Sequence, residues 1–294
     1  MWGAPYQQSR ANSTQKPFFS TEARDRQIVA PSTIRRIAMA TAARTKGKRP
    51  DMSPAEWAAR QQLAACYRIF DHLGWSELIY NHITLRVPDE ENAFLINPFG
   101  LLYGEVTASN LVKIDIDGHV LDGSPYPVNR AGFTQHSVFH RHLPDAHCII
   151  HTHTTAGMAV SATREGLTPT NFYAAAFIGR IAYHDFEGVT IRPEEGERLV
   201  ANLGDRRIMM LRNHGTLVMA KSLPQAFLTQ WLLQRACEIQ VATGAAGTPV
   251  DIPPEVIAVH QRDLSGVQLP TGPGVPDFEA LVRKIDRIDP GWRD

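Results

Sequence analysis

The sequence predicts a single α/β domain built around a mixed or antiparallel sheet. Three observations carry that reading. From residue 51 onward, short apolar strand-like runs alternate with segments of helical period. At least one strand pair is joined by a tight Asp117-Gly118 turn rather than by a crossover. No shift of composition divides the chain after residue 50.

The 294 residues suffice for a large core, and 43% hydrophobic with 20% charged side chains is ordinary globular composition. A net charge of zero conceals an asymmetry. Residues 1–50 carry 10 basic and 2 acidic side chains, which leaves 20 against 28 on the remainder, a net of −8. A body of that sign lacks the clustered Lys and Arg that phosphate backbones require, so no nucleic-acid partner is expected. No apolar run approaches the ~20 residues of a membrane helix. Cys66, Cys148 and Cys237 are odd in number and far apart, which implies no disulfide framework and fits a reducing, cytoplasmic setting.

Residues 1–50 are polar and Arg-rich and lack the apolar stretch of a secretory signal; they read as a flexible basic arm, with a bias that also suits a transit peptide. The domain proper is expected over 51–245. Its first helix starts at Ser53-Pro54-Ala55-Glu56, where Ser53 can cap, Pro54 suits the first helical position and Glu56 completes a capping box. Trp57, Leu63, Ala64, Tyr67, Phe70 and Leu73 then recur at helical spacing until Gly74. Strands are predicted over 79–86, 93–97, 111–116 and 119–121, the last two forming the Asp-Gly hairpin. A helix over 130–142 stops before Pro144. Cys148-Ile149-Ile150 is a short buried strand leading into His151, and helices follow over 155–162 and 193–203. Strands over 208–211 and 216–220 precede a long helix over 223–243, ended by Gly244. Residues 246–294, rich in Pro and Gly, read as a tail packing on the domain or on a neighbouring subunit.

Six of the twelve histidines fall within the 18 residues from His136 to His153. His151-Thr152-His153 is the strongest local signal, because residues i and i+2 of an extended segment face the same side and can reach one cation. His214 also follows a short apolar strand, and Gly215 lets the backbone pass close by, which makes it the best third ligand. Three histidines and an open position form a catalytic metal arrangement. His136 and His140, four apart on one helical face, are assigned to packing and to hydrogen bonds behind the site, and His142 and His147 to the surface.

With these motifs in hand, the chain resembles the class II aldolase/adducin domain family. The resemblance runs in order over about residues 55–245: Tyr80-Asn81-His82-Ile83-Thr84, Ile96-Asn97-Pro98-Phe99-Gly100, Ile114-Asp115-Ile116-Asp117-Gly118, the segment 131–162 around His136, Arg141 and His151-Thr152-His153, and Leu211-Arg212-Asn213-His214-Gly215. It implies a three-layer α/β/α sandwich around a mixed, largely antiparallel sheet. It also implies a homotetramer with active sites at subunit interfaces, and a divalent metal on His151, His153 and His214 that polarises a substrate carbonyl or hydroxyl pair. Zinc is the expected ion, with Fe, Mn or Co as alternatives.

Departures from the pattern narrow the substrate. The sugar-phosphate aldolases of this family carry a glutamate base whose place falls here at Gly132, so that base is absent. Their phosphate-binding serines are replaced by Phe99-Gly100 and Arg130-Ala131. A non-phosphorylated hydroxy or keto acid is therefore expected, with Asn81, Gly100, Arg130 and Arg86 as substrate-binding candidates; either arginine could hold a carboxylate bidentately. Asn129-Arg130-Ala131-Gly132-Phe133 resembles the adducin-like subgroup, which includes decarboxylases of hydroxylated aromatic acids. Tyr183 falls where the aldolases' tyrosine from a neighbouring subunit lies. Tyr183, His184 and Glu187 are thus the acid/base candidates, whereas Glu105 is assigned to a cap. The expected function is a metal-dependent carbon–carbon lyase of the aldolase or decarboxylase type; the alternatives are an Fe(II) oxygenase and a non-catalytic adducin-like assembly module.

Overall fold

The computed structural model describes residues 52–294 except 191 and 268, and except the side chains of Arg130, Ala131 and Pro193. The arm expected over 1–50 lies outside the described residues. The elements in chain order are α1 (Pro54–His72), β1 (His82–Arg86), β2 (Ala93–Ile96), a 3-10 turn (Tyr103–Glu105), β3 (Val112–Asp115), α2 (Arg130–His142), β4 (Cys148–Thr152), α3 (Thr155–Ser161), α4 (Phe172–Ala175), β5 (Ile181–His184), α5 (Pro193–Leu203), β6 (Ile208–Leu211), β7 (Gly215–Ala220), α6 (Leu223–Ala246), α7 (Pro254–Gly266), α8 (Val275–Ile288) and a closing 3-10 turn (Pro290–Arg293).

The seven strands form one sheet in the order β3-β2-β1-β4-β7-β6-β5. Every pairing is antiparallel except β5 with β6, where α5 supplies the crossover that a parallel pair requires. Side chains alternate across the sheet. Cys148 and Ile150 of β4 join Met210, Val218 and Ala220 on one face, beneath α1, α3, α4, α6 and α8. Ile149 joins Met209, Leu211, Leu217 and Met219 on the other, beneath Phe139 of α2 and Leu199 and Leu203 of α5. The predicted three-layer α/β/α architecture is the observed one.

Local chemistry accounts for the element ends. Ser53 Oγ accepts the Glu56 amide at 3.0 Å, and Asn129 Oδ1 accepts that of Gly132 at 3.2 Å, so α1 and α2 start where their caps dictate. The expected strand over 119–121 is absent. Asp115 Oδ1 accepts the amides of both Asp117 and His119 at 2.9 Å, so a side chain closes the Asp-Gly turn, and a single bridge between Ile114 and Val120 remains. Helix α6 runs through Gly244 to Ala246, because one glycine costs a helix only about 1 kcal/mol. Residues 246–294 carry α7 and α8, and Phe278, Ile285 and Trp292 enter the larger core cluster.

Candidate metal centre

His151 stands on β4, the central strand of the sheet, and His153 leaves just beyond its end. His214 sits in the tight connection between β6 and β7, where Asn213 takes the left-handed conformation (φ 59°) and the His214 amide donates to Leu211 O at 3.1 Å. Gly215 then passes so close to β4 that a Cβ there would stand 2.3 Å from Thr152 O and 3.2 Å from the His153 ring. These two segments bring three Nε2 atoms together, with His151–His153 at 2.8 Å, His153–His214 at 3.0 Å and His151–His214 at 3.3 Å.

The donor set suits a divalent ion. His151 Nδ1 donates to the backbone O of Thr216 at 3.0 Å, so the lone pair of its Nε2 faces the other two rings. Burial, reinforced by the neighbouring rings, keeps the His151 imidazole well below its ordinary pKa. Burial lowers that of His153, and burial followed by His153 brings His214 down to about 4. All three are neutral ligands at pH 7. A tetrahedral zinc with bonds of about 2.0–2.1 Å separates its ligand atoms by about 3.3–3.4 Å, so the triangle needs only slight opening to hold one.

A second group of histidines lies behind the first. His82 on β1 is directly opposite His151 on β4, and their ring centroids are 5.4 Å apart. His136 packs on His82 with centroids at 4.2 Å. His140 Nδ1 donates to Ala146 O at 3.0 Å, so its Nε2 accepts the Thr84 hydroxyl at 2.7 Å, and Thr84 Oγ1 accepts from His136 Nδ1 at 2.8 Å. The roles expected of His136 and His140 match these contacts, and His142 and His147 are exposed. His82 carried no weight in the sequence, because its register against His151 is a non-local fact. At Gly132 a Cβ would stand 2.6 Å from the His82 ring, so this imidazole fills the space beside α2 at that position.

Among the described side chains, no hydrogen bond, ion pair or ring contact joins the remaining candidates to the triangle. Tyr183 of β5 accepts the Leu167 amide on its hydroxyl at 3.0 Å, and Arg212 stacks on its ring at 4.3 Å. His184 Nδ1 is bonded to Asn202 at 2.8 Å, and its Nε2 lies 3.7 Å from carboxylate oxygens of both Glu187 and Glu195. Glu187 is paired with Arg198. The Phe186 ring lies 6.3 Å from that of His214. Asn81 Nδ2 donates to Trp75 O at 3.1 Å, while its Oδ1 is buried without a partner. Arg86 donates to His140 O at 3.2 Å and lies over Phe94. Gly100 takes φ +100° in an exposed turn. Arg130 opens α2, and its side chain lies outside the described residues. Glu105 Oε2 accepts the Leu102 amide at 2.8 Å, the cap expected of it.

The chain belongs to the class II aldolase and adducin N-terminal domain family, whose model matches residues 61–241. A Caulobacter vibrioides protein whose name assigns it only provisionally to aldolase class 2 is 43% identical over 250 residues, 85% of this chain and 96% of that protein. Alpha-adducin of Rattus norvegicus is 44% identical over 249 residues, 80% of this chain but 33% of alpha-adducin. Among solved structures, L-fuculose 1-phosphate aldolase from Glaciozyma antarctica PI12 superposes with a TM-score of 0.72 at 26% identity, covering 84% of this chain and 97% of the aldolase. No helix among the described residues is long and apolar enough to cross a membrane.

Proposed function

We propose that this protein is a divalent-metal-dependent carbon–carbon lyase, of the decarboxylase or aldolase type, acting on a small non-phosphorylated hydroxy or keto acid. The observation that carries the reading is the partly buried triangle of three neutral imidazoles, one oriented by a backbone carbonyl. The likeness to an L-fuculose 1-phosphate aldolase supports lyase chemistry, and the lost phosphate serines argue for a different substrate. His151, His153 and His214 would hold a zinc, manganese or cobalt ion, which when bound would supply Lewis-acid polarisation of substrate oxygens.

The chain's own residues supply the rest. The Phe186 ring, 6.3 Å from that of His214, borders the same centre. Arg130 and Arg86 are the carboxylate-pairing candidates, with Asn81 and Gly100 bordering the substrate. Tyr183, His184 and Glu187, occupied within their own chain, would handle protons toward a neighbouring subunit's site in a homotetramer.

Elemental analysis of protein purified without added metal or chelator is the test. About one zinc, manganese or cobalt per chain is expected, and His151→Ala and His214→Ala should each lose it while remaining folded. Unchanged metal content in both variants would mean that the site is misassigned. A decarboxylase releases carbon dioxide from its substrate anaerobically. Predominant iron with oxygen-dependent turnover would favour an oxygenase, since imidazole suits both metals. The 44% identity to alpha-adducin favours a second reading, a non-catalytic assembly module, which a chain that takes up no metal even on reloading would support.

A further inference from the structure

The core behind the triangle contains an amide that packing alone does not call for. The cluster beneath α6 is aliphatic and aromatic, with Phe227, Leu233, Ala236 and Cys237 among its members, yet Gln230 is 0% exposed beside them. Burying an amide there costs free energy unless its partners are worth having. Those partners all belong to the segments that carry the metal ligands.

Along 151–154 histidines alternate with threonines, so the imidazoles and the hydroxyls point to opposite sides of the chain. Gln230 Nε2 donates to Thr152 Oγ1 at 3.0 Å and reaches Thr216 Oγ1 at 3.3 Å, and the two hydroxyls bond each other at 3.0 Å. Thr216 is also the residue whose carbonyl receives the His151 Nδ1 proton. One turn along α6, Gln234 Oε1 accepts from Thr154 Oγ1 at 2.5 Å, and Gln234 Nε2 donates to Glu238 at 2.9 Å. Helix α6 therefore grips residues 152 and 154, which bracket His153, and residue 216, which fixes the ring of His151.

We infer that Gln230 is a positioning residue for the metal centre, tethering β4 and β7 to α6 so that the His151 lone pair is aimed before metal arrives. The inference rests on the reading of the triangle as a metal site. Stability is not what the amide secures. Without it, Thr152 and Thr216 still bond each other, the Thr216 hydroxyl gives up only a long 3.4 Å contact to Gln230 Oε1, and an apolar side chain of similar length fills the space; the swap costs folding about 1 kcal/mol. What is lost is the tether that sets where Thr216 O stands, and a ligand set must be held to within a few tenths of an ångström.

The test titrates metal-free protein with Co(II), read by its visible absorption, alongside the melting temperature of the same metal-free samples. Gln230→Leu and Thr152→Val are each expected to bind one Co(II) about tenfold more weakly than wild type, with a melting temperature lowered by no more than a few degrees. If Gln230→Leu does not fold, Thr152→Val carries the comparison alone. Wild-type affinity in the folded variants overturns the inference. So does a loss of affinity accompanied by a fall in melting temperature of more than about ten degrees, because a merely structural role predicts that. Wild-type protein that binds no Co(II) defeats the metal reading itself, and the inference with it.

Discussion

His140 lies sealed between Phe94 and the Thr84 hydroxyl, 2% exposed, and burial followed by the nearby Arg86 charge brings its pKa down to about 3. An unfolded imidazole titrates near 6.5. Between those values the unfolded chain holds the extra proton, so the stability that His140 permits is intact above pH 6.5 and falls as the pH drops toward 3. At pH 5 the loss from this one group is about 2 kcal/mol. Urea denaturation of wild type and His140→Gln at pH 7.5 and pH 5 should show a pH-induced loss smaller by about that amount in the variant. An equal loss in both would mean that the ring is not held neutral. The same scale shows what sequence can convey. His151 and His153 are legible because i, i+2 spacing is local, and His214 because a short strand and a glycine announce it. His82, whose ring lies 5.4 Å from that of His151, is legible only once β1 is paired with β4.

Among the elements, the β6–β7 hairpin bears the tightest constraint. The clash that a methyl at position 215 would make with Thr152 O leaves β7 no way to begin alongside β4 except with glycine. Gly215→Ala is expected to cost about 1–3 kcal/mol and to lower metal content, as seen in denaturation and elemental analysis. Wild-type stability with full metal would show that the approach has slack. Elements with local punctuation were legible to the residue. Helix α5 begins at Pro193 and ends before Gly204, and α2 lies between the Asn129 cap and Pro144. Strand β5 was not, because Ile181–His184 has only four residues and is extended by pairing with β6. Helix α8 carries Phe278, Leu281, Val282 and Ile285 at helical spacing, but it follows a Pro- and Gly-rich stretch that reads as a tail.

At the scale of the molecule, the strand that carries His151 and leads directly into His153 is the middle one of seven, flanked by β1 and β7 and covered on both faces. The three cysteines share that protection. Cys66 on α1, Cys148 on β4 and Cys237 on α6 are fully buried in one cluster, and burial pushes each thiol up, Cys237 to about 12. The nucleophile toward disulfide and alkylating reagents is the thiolate, so the native molecule offers none of the three. They therefore act as built-in clocks. Under excess aromatic disulfide, each becomes modified only as often as its own layer parts, and peptide mapping separates the three rates. Equal rates are expected if α1, β4 and α6 come apart as one unit. A prompt rate at Cys148 alone would reveal that the ligand strand loosens while the helices above it stay in place.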